Sequence, residues 1–360
     1  MNGLSIIIPT LKEAENIISL IKEIESTIKK PQNFEIIVID DNSPDNTCEI
    51  VKAYSLDENK SYIHAIKRTW NKGLSSALIE GSALARFDHI AVMDGDGQHD
   101  PNDLNILFSE LLRSQEDLII GSRFYLKKNT GSLSKKRSFM SAIGNFFIRL
   151  ILKKELSDPL SGFFVIKSHL LKENSKKLYK EGFKILFDLL MINKNLKIKE
   201  IQINFRERNA GISKLNLSTG LSLIGQILEN YTNRVFPSSF FVFSLIGAFG
   251  VIVHLSLLYL ILALEVNYLQ ANFIGTMGAL TSNYFLNNFL TFNNLHYTWY
   301  QRLKGLLRYV VVNSLSIFAN IGIAAQLYSE EFSILLSTFA GIFAGLILNY
   351  LLSKNLVFKS

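Results

Sequence analysis

Two carboxylates one residue apart, Asp94 and Asp96, lie in the run Asp94-Gly95-Asp96-Gly97-Gln98-His99. Glycines beside them allow a tight turn on which both acids face one hard cation. Mg2+ and Mn2+ take oxygen ligands and keep water or phosphate oxygens in their shells. The Gln98 amide oxygen would add a ligand, and a diphosphate would supply the rest. A calcium loop needs Gly at its sixth position and Glu at its twelfth. Counted from Asp94, those places hold His99 and Asn105, which excludes it. His99 is expected to be a hydrogen-bonded structural residue rather than a ligand. A polar strand end without any ligand is the plain alternative for this segment taken alone.

The elements that must carry this turn are legible upstream. Residues 4–9 and 34–39 are short β-branched runs suited to buried parallel strands. Residues 62–66, 89–93 and 117–120 give three further strands. Between them, 13–29 shows helical spacing, with Ile17, Leu20, Ile21, Ile24 and Ile28 on one stripe. Helices are also expected at 45–54, 73–85 and 102–113. Alternating strands and helices with short connections predict an open α/β sheet, mainly parallel, with right-handed crossovers. Ligands in such sheets bind beyond the carboxyl ends of the strands. Asp40 and Asp41 follow the second strand, and Asp94 and Asp96 follow the fourth.

Further blocks fall in order along the chain: Ile7-Ile8-Pro9-Thr10 with Glu13 and Asn16; Val38-Ile39-Asp40-Asp41-Asn42-Ser43-Pro44-Asp45; Lys72-Gly73-Leu74-Ser75-Ser76-Ala77; Gly121-Ser122-Arg123; Asp158-Pro159-Leu160-Ser161-Gly162-Phe163-Phe164; Gly182-Phe183-Lys184-Ile185; and Arg208 with Gly211, Ser213, Lys214 and Leu215. With the 93–101 segment, this set resembles glycosyltransferase family 2, and within it the dolichol-phosphate mannose synthases. Where that family commonly has Ala and Leu, this chain has Gly95 and Gly97. The resemblance implies a GT-A (Rossmann-like) catalytic domain, Mg2+ or Mn2+, and a nucleotide-sugar donor. It assigns donor binding to Pro9, Thr10, Glu13, Val38, Asp40, Asp94, Gly95, Asp96, Gln98, Arg208 and Lys214. Pro9, Glu13 and Asp40 would lie near the base and ribose, and Arg208 and Lys214 over the diphosphate. The implied metal ligands are Asp94, Asp96 and Gln98. The acceptor phosphate would meet Arg123, Arg137 and Ser141, and the catalytic set would be Asp96, Arg123 and Arg208.

The implied acceptor, a polyprenyl or dolichyl phosphate, is anionic at neutral pH and attacks an anomeric carbon without a strong general base. The harder problem is bringing two anionic groups together. Forked hydrogen bonds from Arg123 and Arg137 suit the acceptor, and cationic groups suit the leaving diphosphate. In-line displacement would invert the anomeric centre and give a β-linked product. GDP-mannose is the favoured donor, and UDP-glucose or another UDP-sugar is the alternative. A rival of another class is a non-catalytic protein that binds nucleotide sugar and moves lipid. The complete Asp94, Asp96, Gln98, Arg123 and Arg208 set argues for catalysis.

Composition splits the 360 residues. Charges are frequent up to about 236, and long apolar runs follow Pro237, so the mean hydropathy of +0.20 describes neither part. The domains expected are 1–236, catalytic, and 237–360, an α-helical transmembrane domain of four helices. The net charge is +7. Its basic clusters (127–137, 153–154, 194–214) carry no nucleic-acid-binding motif, so the lipid bilayer and sugar-nucleotide phosphates are the expected partners. Cys48 is the single cysteine, which excludes an internal disulfide. Segments 133–154 and 215–235 are amphipathic and suited to the membrane interface. Four spans are expected at 240–262, 268–290, 306–327 and 332–353. Arg302 and Lys304 lie between the second and third, Arg308 on the first turn of the third, and Lys354 and Lys359 at the end. Glu265, Glu330 and Glu331 lie in the other two linkers. The positive-inside rule then places both termini in the cytoplasm. The apolar run 4–8 is too short for a signal segment, so the catalytic domain is expected there too. Residues 283–292 recur at 349–358, and Gly275 recurs as Gly341, an offset of 66 residues (283 to 349). This repeat resembles GtrA-like membrane domains and reads as a scaffold of two parallel hairpins. His254, within the first span, is expected to bond another helix. The oligomeric state, a homo-oligomer included, stays open. Arg137→Ala is expected to raise the lipid-phosphate KM on the order of tenfold or more with little change in donor KM. Initial rates measured in each substrate check this, and equal shifts would refute the assignment.

Overall fold

The computed structural model describes residues 3–28, 33–70, 72–125, 152, 155–178, 185–206, 217–232, 234–292 and 298–358. They divide into two compact units, Met1–Lys214 and Leu215–Ser360. The contacts thus group 215–236 with the second unit, ahead of the composition change at Pro237.

The first unit alternates β1 (Leu4–Thr10), α1 (Ile17–Thr27), β2 (Phe34–Asp40), α2 (Thr47–Asp57), β3 (Ile63–Lys67), α3 (Leu74–Leu84), β4 (His89–Val92), α4 (Pro101–Arg113) and β5 (Leu118–Ser122). Then come β6 (Phe164–Lys167), α5 (Ser168–Asn174), α6 (Ile185–Ile192) and β7 (Ile198–Gln202). The sheet order is β3-β2-β1-β4-β6-β5-β7. Pairs β1/β2, β2/β3, β1/β4 and β5/β7 are parallel, whereas β6 runs antiparallel to both β4 and β5. The sheet is therefore mixed. Neither β6 nor β7 is legible in the sequence. The first has four residues, and the second (Ile-Lys-Glu-Ile-Gln) is a charged edge strand without a continuous apolar run.

Strand alternation sends side chains to opposite faces. Ile6, Ile8, Ile36 and Val38 pack with Ile17, Ile21, Leu104 and Leu107 from α1 and α4. Ile7, Ile37 and Ile39 pack on the other face with Ala77, Leu78, Leu186 and Leu189 from α3 and α6. The chain leaves β1 toward β2 and β3, then returns to β1's other side as β4. That reversal opens a crevice at the carboxyl ends of β1 and β4. Helix α4 starts at once after the acidic turn. The Asp100 carboxylate accepts from the Asn102 N–H at 2.8 Å, and Pro101 takes the first helical position.

The second unit contains α7 (Leu217–Tyr231), α8 (Ser238–Leu262), α9 (Tyr268–Leu286), α10 (Trp299–Ser329) and α11 (Ile334–Leu352). One helix among the described residues, Ser238–Leu262, is both long and apolar enough to cross a membrane. The repeat is structural. Helices α9 and α11 both run directly into π-helical turns, Asn287–Thr291 and Ser353–Val357, and all four boundaries keep the offset of 66 (268 to 334, 286 to 352, 287 to 353, 291 to 357). Phe292 and Phe358, which follow the turns, stack with ring centroids 4.4 Å apart. His254 Nδ1 lies 3.5 Å from Thr276 Oγ1 on α9, the helix contact expected for it. On α7, Ile224 and Tyr231 are exposed while Gln226 and Glu229 are buried, and Glu229 accepts from the Ser238 N–H at 2.8 Å. Of the other amphipathic segment, 133–154, all but Leu152 lies outside the described residues.

Asp103, on the first turn of α4, is 4 % exposed and accepts from the Asn204 N–H at 2.7 Å. Burial pushes its carboxyl from the ordinary 3.8 up to about 6. Between those values the folded protein binds more protons than the unfolded chain, so this group's contribution falls as pH rises through the window. The full loss is roughly 3 kcal/mol. Carboxylates with lowered pKa, such as Asp45 and Asp117, run the opposite way. The informative quantity is therefore variant minus parent. Asp103→Asn keeps an acceptor for Asn204 and is expected to gain on the parent in thermal midpoint between pH 4 and 7, followed by tryptophan fluorescence in detergent.

Candidate active site

The acidic turn sits at the crevice between β1 and β4. Asp94 is half-buried and Asp96 is 6 % exposed, with Asp96 Oδ1 accepting from the Gln98 N–H at 3.1 Å. Bare α-carbons make this possible. A Cβ at Gly95 would come within 2.9 Å of Thr10 Cγ2. Gly97 has φ of 73°, a left-handed conformation that favours glycine. A Cβ at Gly162 would stand 2.9 Å from Asp94 Oδ2 and 3.2 Å from Oδ1. The Asp158–Phe164 block therefore closes directly over the Asp94 carboxylate.

His99 is held as the sequence suggests. Its ring stacks on Phe163 at 4.8 Å and meets Phe205 edge-on at 5.6 Å. Its Nδ1 accepts from the Asp94 N–H at 3.3 Å, and burial lowers its pKa, which keeps the ring neutral. Among the described residues, no group of three His, Cys, Asp or Glu is arranged for a metal. The donors at the turn are instead two carboxylates and an amide oxygen. An all-oxygen set of this kind fits a hard cation that completes its shell with water or phosphate, and does not suit zinc.

On the β1–β2 side, Asp40 is fully buried. It accepts from Thr10 Oγ1 at 3.0 Å and from the Ser43 N–H at 2.8 Å. Glu13 accepts from Asn16 Nδ2 at 2.9 Å. Pro9 pairs with Ile39 in the sheet, and the Val38 side chain lies within the core cluster beneath the crevice. Sequence reasoning missed Arg68, a side chain 2 % exposed that joins Asp41, Ser76 Oγ at 3.0 Å and the Gly73 carbonyl at 3.0 Å. It ties the end of β3 to the start of α3. No motif marks it, because its partners are scattered along the chain.

Arg123 is engaged from two directions. Its Nε and Nη2 donate to the Asp158 carboxylate at 2.7 and 3.0 Å, and its guanidinium carbon lies 5.3 and 5.4 Å from the rings of Phe124 and Phe205. Asp158 is fully buried, and its N–H and that of Ser157 donate to Glu200 at 2.9 and 2.6 Å. Burial opposes the charge on Arg123, and the Asp158 carboxylate more than offsets this. Asp158 is thus the orienting partner of Arg123, a role the Asp-Pro turn did not disclose. Arg137, Ser141, Arg208 and Lys214 lie outside the described residues.

The pattern of Glycosyl transferase family 2 matches residues 5–174, and that of the GtrA/DPMS transmembrane domain matches 242–358. A dolichol-phosphate mannosyltransferase of Pyrococcus furiosus is 33 % identical over 298 residues, 81 % of each chain. The chain belongs to glycosyltransferase family 2. It is a glycosyltransferase with a C-terminal membrane domain. A polyprenol monophosphomannose synthase of Mycolicibacterium smegmatis is 29 % identical over 217 residues, 59 % of this chain and 80 % of the relative. Glucosyl-3-phosphoglycerate synthase of Mycobacterium tuberculosis, crystallised with Mn2+, UDP and glucosyl-3-phosphoglycerate, has a TM-score of 0.50 at 19 % identity. The match covers 64 % of this chain and 80 % of that one, and it establishes the shared GT-A-like fold.

Gly162→Ala places a methyl against both oxygens of Asp94 without a left-handed backbone to strain. It is expected to lower kcat/KM for the donor on the order of tenfold or more, with the thermal midpoint near that of the parent. Unchanged kinetics would remove Asp94 from the site.

Proposed function

We propose that this glycosyltransferase moves mannose from GDP-mannose to the phosphate of a polyprenyl or dolichyl carrier, with inversion at the anomeric carbon. One observation carries the reading. The relative named dolichol-phosphate mannosyltransferase aligns over 81 % of the chain, more than the first unit alone supplies. The likeness therefore includes the part that meets lipid.

The chain's residues suit each requirement. Mg2+ or Mn2+, held by Asp94, Asp96 and Gln98, would neutralise the diphosphate as it leaves. Thr10, Glu13 and Asp40 border the same crevice and would face the nucleoside. Arg208 and Lys214 would cover the diphosphate. Arg123, oriented by Asp158, would take the acceptor phosphate with Arg137 and Ser141, so the incoming anion meets cations before it meets the donor. The acceptor oxygen is already ionised and needs no base, consistent with the one histidine at the turn being buried and neutral.

The membrane unit would act as a scaffold. Helices α8, α9, α10 and α11 would cross the bilayer, with both termini and the catalytic unit on the cytoplasmic side. Arg302, Lys304, Arg308 and Lys354 then share one side, and Glu265, Glu330 and Glu331 the other. Helix α7, with Ile224 and Tyr231 outward and Gln226 and Glu229 inward, suits the interface.

Detergent-solubilised protein with Mn2+, a polyprenyl phosphate and each common GDP- or UDP-sugar tests the proposal by the sugar recovered in the lipid phase. Transfer from GDP-mannose, lost in Asp96→Ala, is the expected outcome. Transfer from a UDP-sugar alone would overturn the mannose assignment, and nucleotide-sugar binding without transfer would overturn the acceptor.

A further inference from the structure

Gln98 is held in place by a residue that none of the motifs marks. The Arg206 N–H donates to the Gln98 carbonyl at 2.8 Å, and Gln98 Nε2 donates to the Arg206 carbonyl at 3.3 Å. One residue away, Phe205 and His99 form an isolated antiparallel bridge. Residues 98–99 and 205–206 thus run as a miniature ribbon. The Arg206 side chain leaves it in a fork. Nη1 reaches Glu23 on α1 at 2.6 Å, and Nη2 reaches Asp100, the cap of α4, at 2.7 Å.

We infer that Arg206 is a positioning residue for the donor site, fixing which end of the Gln98 amide faces the acidic turn. A carboxamide has one donating and one accepting end. With Nε2 committed to the Arg206 carbonyl, Oε1 is the end left for a hard cation beside Asp94 and Asp96. The main-chain bonds set this orientation, and the guanidinium fork locks the ribbon to α1 and α4 at a fixed angle. The fork is about one-third exposed on its Arg206 and Glu23 ends, so its contribution to stability is small. Its effect is on geometry. The inference rests on the placement of Gln98 at the cation site proposed above.

The test measures Mn2+ binding directly, by electron paramagnetic resonance of the free ion during titration of the full-length protein with GDP present, alongside kinetics. Arg206→Ala is expected to weaken Mn2+ about tenfold and to raise donor KM, while acceptor KM and the thermal midpoint stay near parental values. Arg206→Lys, which keeps the charge but not the fork, should recover part of the loss. Parental Mn2+ affinity in Arg206→Ala, or donor and acceptor KM rising together with a lowered midpoint, would overturn the positioning role. Asp96→Ala separates the two levels. If it abolishes Mn2+ binding while Arg206→Ala does not, the inference fails alone. If Asp96→Ala binds Mn2+ as the parent does, the cation site itself is wrong and the inference falls with it.

Discussion

The Asp94 carboxylate occupies space that any side chain at position 162 would fill. The acidic turn is built around this close approach. The residues around Asp94 are tightly constrained. Gly95 lies against Thr10, Gly97 turns left-handed, and Asp100 starts α4 at once. The turn is thereby fixed at both ends. A rigid anionic turn of this kind attracts a cation and loses little order on binding it. The β1–β4 reversal supplies the crevice, and the antiparallel β6 brings Gly162 across to close it.

A second constraint concerns positive charge close to that turn. Arg123 is largely enclosed between Phe124, Phe205 and Asp158. A guanidinium in such surroundings needs a partner at fixed geometry, because an unpaired buried charge is costly. Asp158 supplies it, and Glu200 on β7 fixes Asp158 by taking two successive backbone N–H groups. The orientation of one arginine is thus set by β7, which is distant from it in sequence and adjacent to β5 in the sheet.

The membrane unit is two copies of one helical device. Tyr350 of the second copy shares a hydrogen bond with Ser239 on α8, and Tyr284 of the first abuts Gly305 on α10. Ser239 and Gly305 are themselves 66 apart, so each copy reaches across to the first helix of the other. Directly after the π turns Phe292 and Phe358 meet, and Tyr284 also stacks on Phe358 at 5.5 Å. With little hydrophobic drive between helices in lipid, close approach and aromatic packing of this kind hold a bundle together.

The sequence by itself determined the elements whose signal is local and repeated. The buried parallel strands read as apolar runs because both faces are covered, α1 and α4 read from their stripes, and the 66-residue repeat from identity at fixed spacing. It also placed the acidic turn directly after the fourth strand, since carboxylates, glycines and an amide follow one another within six residues. Only the tertiary structure decided which charges face each other. The Asp158 partner of Arg123, the Glu200 that holds it, the Asp41 partner of the buried Arg68 and the Glu23 partner of Arg206 each join residues between 27 and 183 positions apart. No local periodicity encodes such pairs. They arise from the order in which strands enter the sheet, and a short antiparallel strand such as β6, four residues long, gives almost no sign of its place until its neighbours are present.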